Sequence, residues 1–265
     1  MSSSRLNLSN KAVITEMSSP FAQGAFRWVA KGNYTSGPRN GQPCVAKWFK
    51  SGAVYESTFF EKDIKAVDKA QEIVDAFNEE GVVQETIYLN HPEVWVFVPG
   101  SSYEGQRHLI EPFIENFEKF NSNSGYVGGS GGWYQVMQAL SHFSYYKTGG
   151  QMVLCDLQGG ILQGKLRGVV LTDPVILSRS KSYGVTDLGP DGITTFFSRH
   201  QCNRYCQDHW HKPRTTGTYF PLTASTTMHL AGFKQQGVVW HLLGLRASTM
   251  ITMILIMMMT MIDSW

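Results

Sequence analysis

Between Asp156 and Cys206 the chain carries two kinds of metal-binding chemistry in succession. Asp156-Leu157-Gln158-Gly159 and Leu171-Thr172-Asp173-Pro174 offer carboxylate and amide oxygens, which suit an octahedral magnesium ion that keeps water and phosphate as its other ligands. Further on, His200-Gln201-Cys202-Asn203-Arg204-Tyr205-Cys206 offers imidazole nitrogen and thiolate sulfur, the ligand types of a closed tetrahedral zinc site. His200, Cys202 and Cys206 supply three ligands and the fourth must come from a distant segment. His142 is the choice, with His209 and His211 as competitors. Lys47 stands inside an apolar run, where an ammonium is costly unless it meets an anion, whether an internal carboxylate or a bound phosphate. Arg27 could add a second cationic contact. Taken one at a time, Asp156 reads as a cap, Asp173 as a turn former and Lys47 as a snorkelling side chain; taken together with the zinc-type cluster they favour catalysis. A Gly-x-x-x-x-Gly-Lys-Ser/Thr loop is absent, which excludes the common P-loop.

These residues need elements to hold them. Residues 43–50 alternate as a strand with Val45, Lys47 and Phe49 on one face. From 58 to 80, Ile64, Val67, Ala70, Ile73, Val74 and Phe77 recur at helical spacing, and Gly81 marks the end. Strands are expected at 23–30, 94–98, 108–110, 151–156 and 168–171, and a helix at 133–146 carrying His142. Pro112 halts a ladder, so the lobe boundary is placed at 111–117. The 184–192 stretch, rich in glycine, reads as a turn able to expose backbone donors.

With 265 residues, 42% of them hydrophobic, the chain can bury a large core, and 26 glycines with 10 prolines argue for many turns over a helical bundle. A formal charge of +2 gives no nucleic-acid footprint, and the Cys cluster lacks a basic helix. Residues 1–7 lack the apolar run of a secretory signal, and two of the four cysteines sit in the His-x-Cys-x3-Cys cluster, so a reducing, cytoplasmic setting is expected and metal ligation is preferred to disulfides. The 247–262 stretch holds six methionines and no charge over 16 residues, short of the roughly 20 that span a bilayer. It reads as a buried terminal helix or an exposed tail, and no membrane partner is expected.

In order and spacing the chain resembles the alpha-kinase family of atypical protein kinases. The stretches that carry the likeness are Gly24-Ala25-Phe26-Arg27, Val45-Ala46-Lys47, Ile110-Glu111-Pro112, Asn121-Ser122-Asn123-Ser124-Gly125, Ala139-Leu140-Ser141-His142, Asp156-Leu157-Gln158-Gly159, Leu171-Thr172-Asp173-Pro174, Asp187-Leu188-Gly189 and the His200–Cys206 cluster, over 20–211. The resemblance implies an α+β, two-lobed kinase-like fold with a flexible segment at 1–19, an N-lobe at 20–110, a hinge at 111–117, a C-lobe at 118–211 and a tail at 212–265. It implies transfer of the γ-phosphoryl group of ATP to a serine or threonine hydroxyl of a protein substrate, with a small-molecule kinase or an inactive zinc-stabilised binding domain as alternatives. By position, Lys47 and Arg27 look like phosphate contacts and Glu111 like a hinge residue on the adenine side. Asp156 resembles the catalytic aspartate, while Gln158 and Asp173 look like magnesium ligands. His142, His200, Cys202 and Cys206 match the zinc set, and 184–192 is similar to the substrate-recognition loop. An acid on the 58–80 helix, Asp63 before Glu61, is expected to steady Lys47. Two departures stand out: Asp187 where the family often has Asn, and Val175-Ile176-Leu177 after Asp-Pro.

Overall fold

Five strands open the chain in this computed structural model, which describes residues 5–228 apart from Glu16 and Lys165. They are β1 (Leu6–Asn7), β2 (Ala12–Ile14), β3 (Ala22–Gln23), β4 (Arg27–Tyr34) and β5 (Pro43–Phe49). Helix α1 (Glu61–Glu80) follows, then β6 (Thr86–Leu89), β7 (Glu93–Val96), β8 (Arg107–Pro112) and β9 (Phe117–Lys119). Helix α2 (Gly132–Lys147), β10 (Met152–Cys155), β11 (Gln158–Leu162), β12 (Gly168–Thr172), β13 (Val175–Ser178) and α3 (Gly189–Arg199) complete the described elements. The Met-rich stretch at 247–262 lies outside the described residues.

The first sheet runs β1-β7-β8-β5-β4-β2, with β3 added on β4. Its centre is β5, whose Lys47 lies between Val29 of β4 and Leu109 of β8. A strand covered on both sides by partners and flanked by Cys44, Val45 and Ala46 is buried, as the apolar run requires. Contrary to the expected loose segment at 1–19, β1 pairs with β7 and β2 with β4, so part of that segment caps both flanks of the sheet. Short runs such as Ala12-Val13-Ile14 can be strands only because existing strands offer free edges.

The second sheet, β6-β12-β11-β9, draws β6 out of the expected N-lobe: Thr86–Leu89 pairs in parallel with Gly168–Thr172. The apolar stripe of α1 goes the same way. Val67, Ala70, Ile73, Val74 and Phe77 join Leu140 and Phe143 of α2, Leu154, Leu157 and Trp210 in the largest core cluster, with Phe77 edge-on to Phe143 at 5.3 Å. The lobe division at 110 therefore needs correction, since the helix in the middle of the N-terminal half supports both halves. Each fully buried Val, Ile and Phe side chain of that stripe contributes about 1.5–3 kcal/mol, and α1 ends where Gly81 adopts φ 68°, as expected.

Gly189–Arg199, read in part as a loop, is a helix with Pro190 in its first turn and Ile193, Phe196 and Phe197 on its buried face. The turn is therefore shorter than expected, ending at Leu188. No helix among the described residues is long and apolar enough to cross a membrane.

Candidate active site

Strand alternation puts three charged residues on one face of the first sheet. Val45, Lys47 and Phe49 alternate along β5; Arg27 stands opposite Phe49 and Glu111 opposite Val45. The Lys47 ammonium is ion-paired with the Glu111 carboxylate and, at 2.6 Å, with Asp173 Oδ2. It also donates to Thr172 Oγ1 at 3.2 Å, and that hydroxyl donates to the Glu111 carboxylate at 2.7–2.8 Å. Arg27 pairs with Asp63 and lies 4.0 Å from Asp173. These contacts bear on two expected roles. Glu111, expected on the adenine side, is buried at 2% exposure with its carboxylate paired with Lys47 and Thr172. Asp63 steadies Arg27, not Lys47, because α1 presents it to β4, while the exposed Glu61 reaches neither cation.

Burial opposes the Lys47 charge, but Asp173 and Glu111 outweigh it and hold the ammonium above its usual pKa. Burial also opposes ionisation of Asp173, and Lys47 with Arg27 overcomes it, so Asp173 titrates below the usual range. For Glu111 burial wins and its carboxyl is pushed up. The two acids thus differ in use. Asp173 keeps 33% of its side chain exposed and can turn to a ligand, whereas Glu111 is locked inside.

The second sheet supplies the other half. Gln158 of β11 lies opposite Lys119 of β9 on one side and Thr172 of β12 on the other, directly before Asp173. Lys119 Nζ donates to Gln158 Oε1 at 3.1 Å and to Asp156 Oδ2 at 2.9 Å, tying the two oxygen groups together. Gly159 lets β11 lie close against β12, since a Cβ there would lie 1.9 Å from the Val170 carbonyl oxygen. Burial raises the Asp156 pKa above its ordinary 3.8, with Lys119 and the Thr226 hydroxyl pulling the other way. Lys119 and Thr226 were not singled out from the sequence. Lys119 ends a three-residue strand, too short for alternation to show which way it points.

Both candidate acids sit in the left-handed backbone region, Asp156 at φ 59° and Asp173 at φ 47°. Such a conformation costs of order 1–3 kcal/mol for a residue with a Cβ, and proline after Asp173 ordinarily favours extended backbone. The two residues stand in loops after β10 and β12, and Lys119 pulls on both carboxyls.

His142 of α2, His200, Cys202 and Cys206 form a second centre, their ligand atoms all within 4.8 Å of one another. Cys202 Sγ is 3.5 Å from His142 Nδ1 and 3.7 Å from His200 Nε2, and Cys206 Sγ is 3.8 Å from His200 Nε2. Zinc bonds of about 2.0–2.3 Å place tetrahedral ligands roughly 3.5–3.8 Å apart, so the group could hold such an ion. Burial lowers both imidazoles, His142 to about 4 and His200 to about 3, which favours the neutral form a metal would need. Burial also pushes the Cys206 thiol up to about 11, a cost that a bound cation reverses. All four cysteines are free. Neither competitor enters the group: His209 is exposed, lying 4.0 Å from Glu80, and the His211 carbonyl instead accepts from His142 Nε2 at 3.3 Å.

Asp187 closes the 184–188 turn. Its carboxylate accepts from Ser178 N and Gly189 N at 2.7 and 3.0 Å, and from Ser178 Oγ and Tyr183 N at 2.6 and 3.2 Å. A carboxylate fits four donors, which accounts for aspartate at this position.

The chain is similar to known proteins. Alpha-protein kinase 1 of Dictyostelium discoideum is 35% identical over 202 residues, covering 73% of this chain and 14% of that protein. Eukaryotic elongation factor 2 kinase of Caenorhabditis elegans is 38% identical over 100 residues, covering 37% of this chain and 12% of that protein. The chain thus spans less than a sixth of either relative. The alpha-kinase domain of myosin heavy chain kinase A, solved in complex with AMP, superimposes with a TM-score of 0.63 at 24% identity, over 74% of this chain and 89% of that one. The Alpha-kinase family pattern matches residues 22–206, and the chain belongs to that family.

Proposed function

We propose that this chain is an ATP-dependent protein kinase that moves the γ-phosphoryl group of MgATP to a serine or threonine hydroxyl of a protein. The observation that carries the reading is the meeting of Lys47 and Arg27 on Asp173, with Gln158 one strand away and linked through Lys119 to Asp156. Lys47 and Arg27 bring two positive charges that a triphosphate can take over from Asp173. Asp173 and Gln158 would hold magnesium through oxygen, and magnesium, when bound, neutralises charge developing on the transferred group. Asp156 orients the accepting hydroxyl and takes its proton late in transfer. Glu111, fixed by Thr172, keeps the Lys47 amine in place. Retention of all these groups argues against an inactive binding domain. His142, His200, Cys202 and Cys206 would hold zinc and clamp α2 to the segment after α3.

The test is incubation of the purified protein with γ-labelled ATP, magnesium and a panel of proteins and peptides, beside the Asp173→Ala variant. Label in protein hydroxyls with the wild type and none with the variant is the expected result. Equal labelling by both would remove Asp173 from the reaction.

A further inference from the structure

Asn123 is fully buried, at 0% exposure, yet its side-chain amide is spent on a distant stretch of backbone. Nδ2 donates to the Thr227 carbonyl at 2.7 Å and Oδ1 accepts from the Thr227 N–H at 2.8 Å, the two bonds that a paired strand residue would make. A further bond from Nδ2 to the Thr186 carbonyl at 2.9 Å fixes the amide and sets it against the turn expected to meet peptide substrates. The flanking serines act alike on a second residue. Ser122 and Ser124 hydroxyls donate to the Thr223 carbonyl at 2.7 and 3.0 Å, and the Thr223 N–H donates to Ser124 Oγ at 3.1 Å. Between the two grips Thr226 Oγ1 donates at 2.8 Å to Asp156 Oδ2, the carboxylate proposed above to orient the accepting hydroxyl.

Each grip is on backbone, and Ala224, Ser225 and Met228 are exposed. Main-chain bonds of this kind hold an extended peptide irrespective of its sequence. Resting on the kinase reading above, we infer that Asn123, with Ser122 and Ser124, forms the subsite that positions the backbone of an external acceptor. Asn123 takes the N–H and carbonyl of the residue after the accepting hydroxyl, and the serines take those of the residue three before it. The chain's own 223–227 segment occupies this subsite and competes with external acceptors. A specificity follows. Proline has no N–H for Asn123 Oδ1, which would be left buried and unpaired, so an acceptor followed by proline is refused.

The test uses the full chain with MgATP and three synthetic peptides that share a single threonine and differ at the next position. One has alanine there, one the same residue joined through an ester in place of the amide, and one proline. The ester removes the N–H and keeps the shape. Relative to the alanine peptide, kcat/KM should fall about 10-fold for the ester and further for proline, with the KM for ATP the same throughout. An Asn123→Ala protein that still unfolds cooperatively should treat the amide and ester peptides alike. Thr226→Val, which frees Asp156 from the occupying segment, should lower the KM for the alanine peptide severalfold. Equal kcat/KM for amide and ester with the wild type overturns the inference and leaves the kinase reading standing. So does an amide–ester difference that persists in Asn123→Ala, or an unchanged peptide KM in Thr226→Val. Label on a protein substrate but on none of the peptides also overturns it, because side chains would then carry recognition. Label on no acceptor at all overturns both.

Discussion

The two polar centres of this molecule solve opposite problems. Around Lys47 charged groups are packed beside one another, two cations against three acids, with burial pushing the Glu111 carboxyl up. Around His142 burial suppresses charge, holding two imidazoles neutral and a thiol protonated until a cation arrives. The first centre is complete without a ligand but can exchange partners, because Asp173 is partly exposed and Arg27 and Lys47 each have a second acid. The second centre has ligand atoms at zinc spacing and no internal counter-charge. A site that exchanges partners suits catalysis; one that waits for a permanent ion suits structure.

The sharpest way to separate them is Asp173→Ala. Lys47 retains Glu111 and Arg27 retains Asp63, so folding and zinc content should hold, while phosphoryl transfer falls by about 10³-fold or more, equivalent to roughly 4 kcal/mol of lost charge stabilisation. Steady-state rates with metal analysis of the same sample check both halves. Cys206→Ser should do the reverse. It should release the metal and lower the melting temperature by about 10 °C or more, while nucleotide affinity per folded molecule changes little. Unaltered melting in a metal-free Cys206→Ser protein would contradict a structural role.

The contrast between the centres follows how each was visible in the sequence. Three members of the His/Cys group, His200, Cys202 and Cys206, lay open because they fall within seven residues, whereas His142 was one of three candidate histidines; β5 and α1 lay open because periodicity declares them. Glu111 was visible as a residue but not as a partner of Lys47, since β5–β8 register is set by pairing across more than sixty residues. The same holds for β6, which alternates correctly yet joins β12 through a parallel contact with no local signal. Thr226 had no pattern at all. Only the fold brings a loop threonine back across the Asn121–Ser124 turn to Asp156.

A smaller effect is expected from Glu111→Gln. Lys47 keeps Asp173 but loses the pairing that fixes its amine, so kcat/KM for ATP should fall about 10–100-fold through misplacement of the phosphate contact. Loss of no more than twofold would show that Thr172 and Asp173 suffice. Subtler still is the pH dependence. Burial raises Asp156, and only its carboxylate accepts a proton, so activity should decline as pH falls through a value above 3.8. Stability runs with the opposite sign. A folded-state pKa above the unfolded value means the folded protein holds the proton longer, so this group's contribution declines as pH rises through the same window. Paired rate and unfolding profiles for the wild type and Asp156→Asn would expose the two trends.

The central claim is that Lys47, Gln158 and Asp173 meet one nucleotide–metal complex. The direct measurement is a crystal structure with magnesium and a non-hydrolysable ATP analogue. The account predicts the Lys47 amine on a phosphate oxygen, and the Gln158 amide oxygen and Asp173 carboxylate on the cation. A nucleotide bound elsewhere, with Lys47 still closed on Asp173 and Glu111, would contradict it.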